Sequence, residues 1–361
     1  MTTLFCVRPR GFNIGNDTIF LALRHLLREA FDGRLNIVQV PATGAPAGEL
    51  DGMGARTVHE MNLYGHGVVV GGGNIYENGQ LDVDTNALHA LRPPLMLFSL
   101  SHGRIYDNRH RLVRRSDSMP DDVIAALNAR AALSVVRDEA TLAHLRALHL
   151  DRPVLGGCPT LLIREFAQPV EVPPHDGSLL SLRHPRLMSI PLRDQARLRG
   201  VIVDLIAAMT ADGFGPVRLL CHDARDVAFA SSFTDVEYIL SDDVYSHLSL
   251  LRSARLVVTF RLHAFLPCLS FGTPAINISY DERSRSLVKT IGMESWDIDL
   301  IRSKDVVGEV RERWTKLERL TELRAAAQPQ WDQLTNTMRE QLATFAALVR
   351  DYAAEEPGPG D

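Results

Sequence analysis

Lysine is almost absent from this chain: Lys289, Lys304 and Lys316 are the only three among 39 basic residues. With 44 acidic residues the net charge is −5, so a broad basic face for nucleic acid is not expected. Nearly every cation is therefore an arginine. That reads first as genomic base composition, yet it leaves many planar forks suited to anions. Cysteine is also scarce. Cys6, Cys158, Cys221 and Cys268 lie far apart and form no CxxC pair, which argues against a zinc knuckle or a disulfide framework and fits a reducing cytosol. Long apolar runs are missing as well. No window reaches the roughly 18 apolar residues of a spanning helix, and Met1–Val7 lacks the basic and apolar regions of a secretion signal. The expectation is a cytoplasmic protein with at most peripheral membrane contact.

What is present is a chain of 361 residues, 45% hydrophobic and 23% charged, long enough for two cores. Short apolar runs recur at Leu4–Val7, Ile37–Val40, Val68–Val70, Leu95–Phe98 and Leu133–Val136. They continue at Leu179–Leu182, Val217–Leu220, Val236–Leu240, Leu256–Thr259 and Ala275–Ile278. Several are β-branched and bounded by Gly, Pro or Asp, as buried parallel strands are. Between them lie helical patterns. Ile19, Phe20, Leu23, Leu26, Leu27 and Phe31 share one face, with Asn16 or Asp17 as N-cap. Asp138–Leu148 and Arg193–Ala211 repeat the pattern, and residues 309–353 read as helix.

Strand–helix alternation predicts doubly wound α/β sheets. The rhythm breaks at the Pro-rich stretch 168–177, read as a linker. The expected architecture is two Rossmann-like domains facing a cleft, GT-B-like, with a C-terminal helical segment. The divisions expected are residues 1–170 on the acceptor side, 177–330 on the donor side, and 331–361 as a final helix and frayed tail.

Five polar segments follow predicted strands. Asn13-Ile14-Gly15-Asn16-Asp17 precedes the first helix and suits an anionic or sugar ligand at a positive helix end, although plain capping explains it too. Gly71-Gly72-Gly73-Asn74 ends a buried strand with more glycines than a tight turn needs. Its spacing matches neither GxGxxG nor a Walker loop. Arg183 ends the first strand after the break. Arg261 and His263 flank Leu262 at a strand-to-helix turn, and Ser279-Tyr280-Asp281-Glu282-Arg283 follows the next strand. All five fall at the carboxyl ends of strands, where α/β folds bind ligands.

In order and wording these segments resemble the polysaccharide pyruvyl transferase family over roughly residues 1–295. The matching pieces are Asn13–Asp17, Gly71–Asn74, Arg137-Asp138-Glu139-Ala140-Thr141, Arg261-Leu262-His263, and Gly272–Asp281 followed by Arg283. Asn16 stands where the family has Asp, and Arg283 where it has a lysine. Ser99–Gly103 matches the family's glycine-rich turn only loosely.

The resemblance implies phosphoenolpyruvate as donor and a sugar, oligosaccharide or lipid-linked glycan as acceptor. It implies a cyclic pyruvate ketal as product, with release of phosphate, in exopolysaccharide or cell-surface glycan synthesis. No metal or cofactor is expected. Guanidinium forks match the donor's carboxylate and phosphate, which selects Arg183 and Arg261, with Leu262 and Arg283 added by the family motif. His263 is the expected acid or base, with an ordinary pKa of about 6.5. Asn13, Asn16, Asp17, Gly72, Gly73, Asn74 and Tyr280 are expected on the acceptor side or the cleft wall. The alternatives are a GT-B-type nucleotide-sugar glycosyltransferase, which shares architecture and arginines, and a non-catalytic carbohydrate-binding module.

Overall fold

The computed structural model describes residues 1–9, 13–46, 48–77, 79–172 and 177–355. Its strands form two six-stranded parallel sheets. The first contains β1 (Thr2–Arg8), β2 (Leu35–Pro41), β3 (Gly67–Gly73), β4 (Leu95–Leu100), β7 (Leu133–Val136) and β8 (Val154–Leu155). A small hairpin, β5 (Ile105–Tyr106) with β6 (Leu112–Val113), interrupts it. The second contains β9 (Ser178–Leu182), β10 (Val217–Cys221), β11 (Tyr238–Leu240), β12 (Val257–Thr259), β13 (Ala275–Ser279) and β14 (Ile298–Asp299).

Thirteen α-helices connect or flank the strands among the described residues. In the first half these are α1 (Ile14–Ala30), α2 (Ala55–Tyr64), α3 (Thr85–His89), α4 (Asp121–Arg130), α5 (Glu139–Ala147) and α6 (Ile163–Phe166). In the second half they are α7 (Leu192–Ala211), α8 (Val227–Ala230), α9 (Val244–Ser253), α10 (Leu262–Phe271), α11 (Glu282–Thr290), α12 (Val306–Trp314) and α13 (Leu317–Glu355). None is long and apolar enough to cross a membrane.

The strand orders explain where a ligand can enter. The first sheet runs β2-β1-β3-β4-β7-β8 and the second β11-β10-β9-β12-β13-β14. Direction of winding reverses between β1 and β3 in one, and between β9 and β12 in the other. Each reversal leaves a crevice beyond the carboxyl ends of the strands. Central strands are apolar on both faces because helices cover both: Val68, Val69 and Val70 are all fully buried.

Every apolar run expected to be a strand overlaps one, although Val236, Glu237 and Leu256 lie outside β11 and β12, and the helices at 138–148 and 193–211 form as α5 and α7. The cap of α1 is a correction: Asn13 is the N-cap, its Oδ1 accepting from Gly15 N at 3.1 Å, while Asn16 and Asp17 sit inside the helix. Of the expected linker, residues 173–176 lie outside the described residues, as do 356–361 of the expected frayed tail. The sheets change between Leu155 and Ser178.

The long helix α13 joins the two halves. Leu320, Ala327, Trp331 and Leu334 pack into the core of the second sheet, and Met338, Leu342, Phe345 and Val349 into that of the first. Trp331 adds an indole hydrogen bond to the carbonyl of Ile291 at 2.7 Å. At 39 residues α13 extends about 58 Å, enough to reach both cores.

Candidate active site

Three helices begin at one cleft. Asn13 is the N-cap of α1, Arg261 of α10 and Asp281 of α11, and all three line the cavity between the sheets. Helix N-termini carry positive partial charge and free N–H groups, so their convergence favours an anion. The same cavity is lined by Asn16, Asn74, Arg137, Arg183, His222, Leu262, His263, Tyr280, Arg283 and Ser284. Each stands just past a strand's carboxyl end or in the first turn of the helix that follows. The cavity volume is about 60 Å³, room for a compact small molecule of a few water-sized groups.

The four arginines are held differently. Arg261, 5% exposed, forms an ion pair with the fully buried Asp226 and donates Nε to the carbonyl of Leu182 at 3.1 Å. Arg283 pairs with Asp281 at 2.5 Å and with Glu77 at 3.4 Å. Arg137 donates to Ser101 Oγ at 2.6 Å, and its Nε is buried without a hydrogen-bond partner. Arg183 donates Nε to the carbonyl of Leu187 at 2.7 Å and meets no carboxylate within ion-pair distance among the described residues. Burial, together with the cations Arg261 and Arg283, lowers its pKa. A part-buried guanidinium without a counter-ion is costly unless an anion completes it.

Glu77 is buried beneath Arg283, and neither carboxyl oxygen has a hydrogen-bond partner among the described residues. Burial pushes its pKa up to about 7 against the pull of Arg283. Burial would raise Asp281 too, but Arg283 and the N–H of Ser284 hold it below the usual carboxylate range.

His263 departs from the expectation of an ordinary titration. Burial, and then Arg137, Arg261 and Arg283, push its pKa down to about 3. It is therefore neutral in the empty cleft at pH 7. Its Nε2 is buried and has no hydrogen-bond partner. The ring lies against the first turn of α1: a Cβ on Gly15 would come within 2.8 Å of its Nδ1. Gly15 is thus the residue that lets α1 and α10 bring their N-termini together.

Most of the expected residues meet here: Asn13, Asn16, Asn74, Arg183, Arg261, Leu262, His263, Tyr280 and Arg283. Three do not. Asp17 turns to an ion pair with Arg8, on a neighbouring face of α1. Gly72 and Gly73 lie behind the wall. Gly72, at φ +76°, leaves no room for a side chain because Ile19 of α1 would be 2.2 Å from its Cβ. The glycine run therefore seats α1 on β3, and only Asn74 reaches the cavity.

Sequence reasoning passed over Arg137, quoted only in a motif, and over His222 and Asp226 altogether. His222 follows β10 directly, and a polar pair after a buried strand was the available signal. It is 1% exposed and shares a hydrogen bond with Ser181 Oγ at 2.9 Å through Nε2, while Nδ1 has no partner. Its carbonyl accepts from Ile14 N at 2.9 Å, fastening α1 to the second sheet. On the far side of the cleft the halves are pinned by Arg104 with Glu282 at 2.5 Å and by Ser286 with Asp138 at 2.9 Å.

The family model described as polysaccharide pyruvyl transferase matches residues 13–282. No curated protein is a significant match. Among solved structures, Staphylococcus aureus MnaA in a co-structure with UDP is similar over 99% of both chains, at 14% identity and a TM-score of 0.60. The UDP-GlcNAc 2-epimerase of Methanocaldococcus jannaschii, in complex with UDP-GlcNAc and UDP, is similar over 86% of this chain and 92% of its own. Its identity is 12% and its TM-score 0.51. At such identities the likeness concerns the fold, which is the two-sheet GT-B-like arrangement.

Proposed function

The chain belongs to the polysaccharide pyruvyl transferase family, and from that premise we propose that it transfers pyruvate from phosphoenolpyruvate to a sugar diol as a cyclic ketal, releasing phosphate, in exopolysaccharide or cell-surface glycan synthesis. The observation that carries the reading is Arg183, a guanidinium without a carboxylate partner among the described residues, in a narrow cavity with three further arginines and three helix N-termini. A small, highly charged anion such as phosphoenolpyruvate suits that arrangement.

In this reading Arg183 and Arg261 hold the donor's carboxylate and phosphate, with Arg283 and Arg137 completing the charge. Bound negative charge raises the pKa of His263 from its depressed value, so the histidine takes up a proton as the donor arrives. His263 then protonates the vinyl carbon C3. Positive character develops at C2, a sugar hydroxyl forms the first C–O bond there, and its proton returns to His263. A second hydroxyl then attacks C2, the C–O bond to phosphate breaks, and the hydroxyl's proton leaves with phosphate. The atoms balance without a metal or a cofactor.

A nucleotide-sugar glycosyltransferase is the second reading, since structures of this fold hold UDP and arginines also bind diphosphates. Thermal unfolding separates the two. Phosphoenolpyruvate at one hundred times its dissociation constant should stabilise the protein by about 2.7 kcal/mol, and UDP-glucose or UDP-GlcNAc should not. Stabilisation by the UDP-sugars and none by phosphoenolpyruvate would reverse the assignment.

A further inference from the structure

The donor cavity is narrow, so beyond the terminal diol that must reach it a longer acceptor needs a surface of its own. Helix α1 leads to one. Taking 100° per residue, Asn13, Asn16, Asp17, Phe20, Leu21 and Arg24 occupy two adjoining faces of α1 that together span about 140°. The first two line the donor cavity. The other four line a second, open groove of about 440 Å³, within the usual size of ligand sites. Its opposite wall comes from the second sheet's half, at Asp242, Asp243, Val244 and Tyr245, with Gln39 of β2 at one end.

We propose that this groove binds a neutral glycan chain several sugars long, and feeds its terminal diol along α1 into the donor cleft. The inference rests on the transferase reading above. The groove's polar groups suit hydroxyls. Arg8 is 7% exposed, its Nε is buried without a hydrogen-bond partner, and its guanidinium pairs with Asp17 and covers the Phe20 ring at 4.4 Å. Arg24 donates to Tyr245 Oη at 3.1 Å and also keeps an unpartnered Nε. Asp243 spends one oxygen capping α9, at 2.7 Å from Ser246 N. Asp242 is exposed and has no hydrogen-bond or ion-pair partner among the described residues. Arg8 is neutralised by Asp17 and Arg24 is bonded to a neutral hydroxyl, while the carboxylates of Asp242 and Asp243 outnumber that one remaining cation among the groove's lining residues. That balance favours a neutral chain, whose hydroxyls donate to carboxylates, and disfavours a polyanionic one.

Binding measured by calorimetry tests this without requiring turnover. The probes are glucose and galactose, the neutral trimers maltotriose, cellotriose and galactotriose, and the anionic trimer trigalacturonate. At least one neutral trimer should bind about tenfold or more tighter than its monomer. Gln39→Trp, at an exposed position, fills the groove and should remove that increment; Asp242→Ala should reduce it. Neither should change the thermal shift caused by phosphoenolpyruvate. No trimer advantage, an advantage that survives Gln39→Trp, or equal binding of trigalacturonate would each overturn the groove assignment. Loss of the phosphoenolpyruvate shift with trimer binding intact would instead count against the pyruvyl reading.

Discussion

Asp226 holds Arg261 from below: one carboxyl oxygen meets the guanidinium, and the other accepts the backbone N–H of His184 at 2.9 Å. Both side chains are buried. The pair joins the turn after β10 to the start of α10 and thereby aims Arg261 at the cleft. Breaking a buried pair leaves an uncompensated charge and costs roughly 3–5 kcal/mol. Asp226→Asn keeps the bond to His184 and loses the charge. Its denaturation midpoint should fall accordingly, and turnover should fall with it because Arg261 is no longer held. Unchanged stability in urea titration would show that the pair contributes little.

Arg183 should behave in the opposite sense. It carries charge among other cations without a carboxylate partner among the described residues. Arg183→Met removes that repulsion and keeps much of the side chain's bulk. The melting temperature should hold or rise, while the stabilisation by phosphoenolpyruvate should disappear. A variant that melts lower yet still responds to phosphoenolpyruvate would assign Arg183 a purely structural role.

His263 is pushed to about 3 in the empty cleft, so the proposed reaction requires it to gain its proton with the donor at pH 7. Calorimetry in two buffers of different ionisation enthalpy should therefore register proton uptake on phosphoenolpyruvate binding, and affinity should weaken as pH rises above 7. His263→Gln should abolish the uptake and lower turnover by about 10²-fold or more. Its melting temperature should change little, since the ring's Nε2 bonds to nothing in the protein. Near-normal turnover in this variant would move the proton transfer to another group.

Acid should destabilise the fold through His247. This histidine is fully buried, has no partner on either nitrogen, and meets His222 edge-on at 4.5 Å. Burial, then Arg261, pushes its pKa down to about 4. A depressed folded value means that the stabilising contribution is present above the unfolded pKa of about 6.5 and is lost as pH falls towards 4. Between pH 7 and pH 4.5 the loss from this one group is about 2–3 kcal/mol. His247→Leu should flatten that limb in urea titrations. An unaltered pH dependence would mean that His247 binds its proton equally well in the folded and unfolded states.

The strands of both sheets were legible because their signal is local: a run such as Val68–Val70 has no polar face, so only a doubly covered strand accommodates it. The two-residue strands β8 and β14 carry no comparable pattern, and only pairing with a neighbour defines them. Arg261-Leu262-His263 could be placed at a strand-to-helix turn because a buried run precedes it and an apolar helix follows.

The cap of α1 could not be chosen from sequence, since Asn13, Asn16 and Asp17 all qualify by residue type. The contact of Ile14 N with the carbonyl of His222, more than 200 positions away, settles where the helix starts. That start also decides the phase of the helix, and so sends Asn16 into the cleft and Asp17 out to Arg8. The glycine run read as a ligand turn because sequence shows only the freedom of glycine, not that Ile19 fills the space above Gly72. Arg137, His222, Asp226 and Glu77 join the site from separate loops whose spacing in the chain carries no signal. Electrostatics acts through distance in space, so the charge that depresses His263, and the cations gathered around Arg183, exist only once both sheets are folded and facing each other.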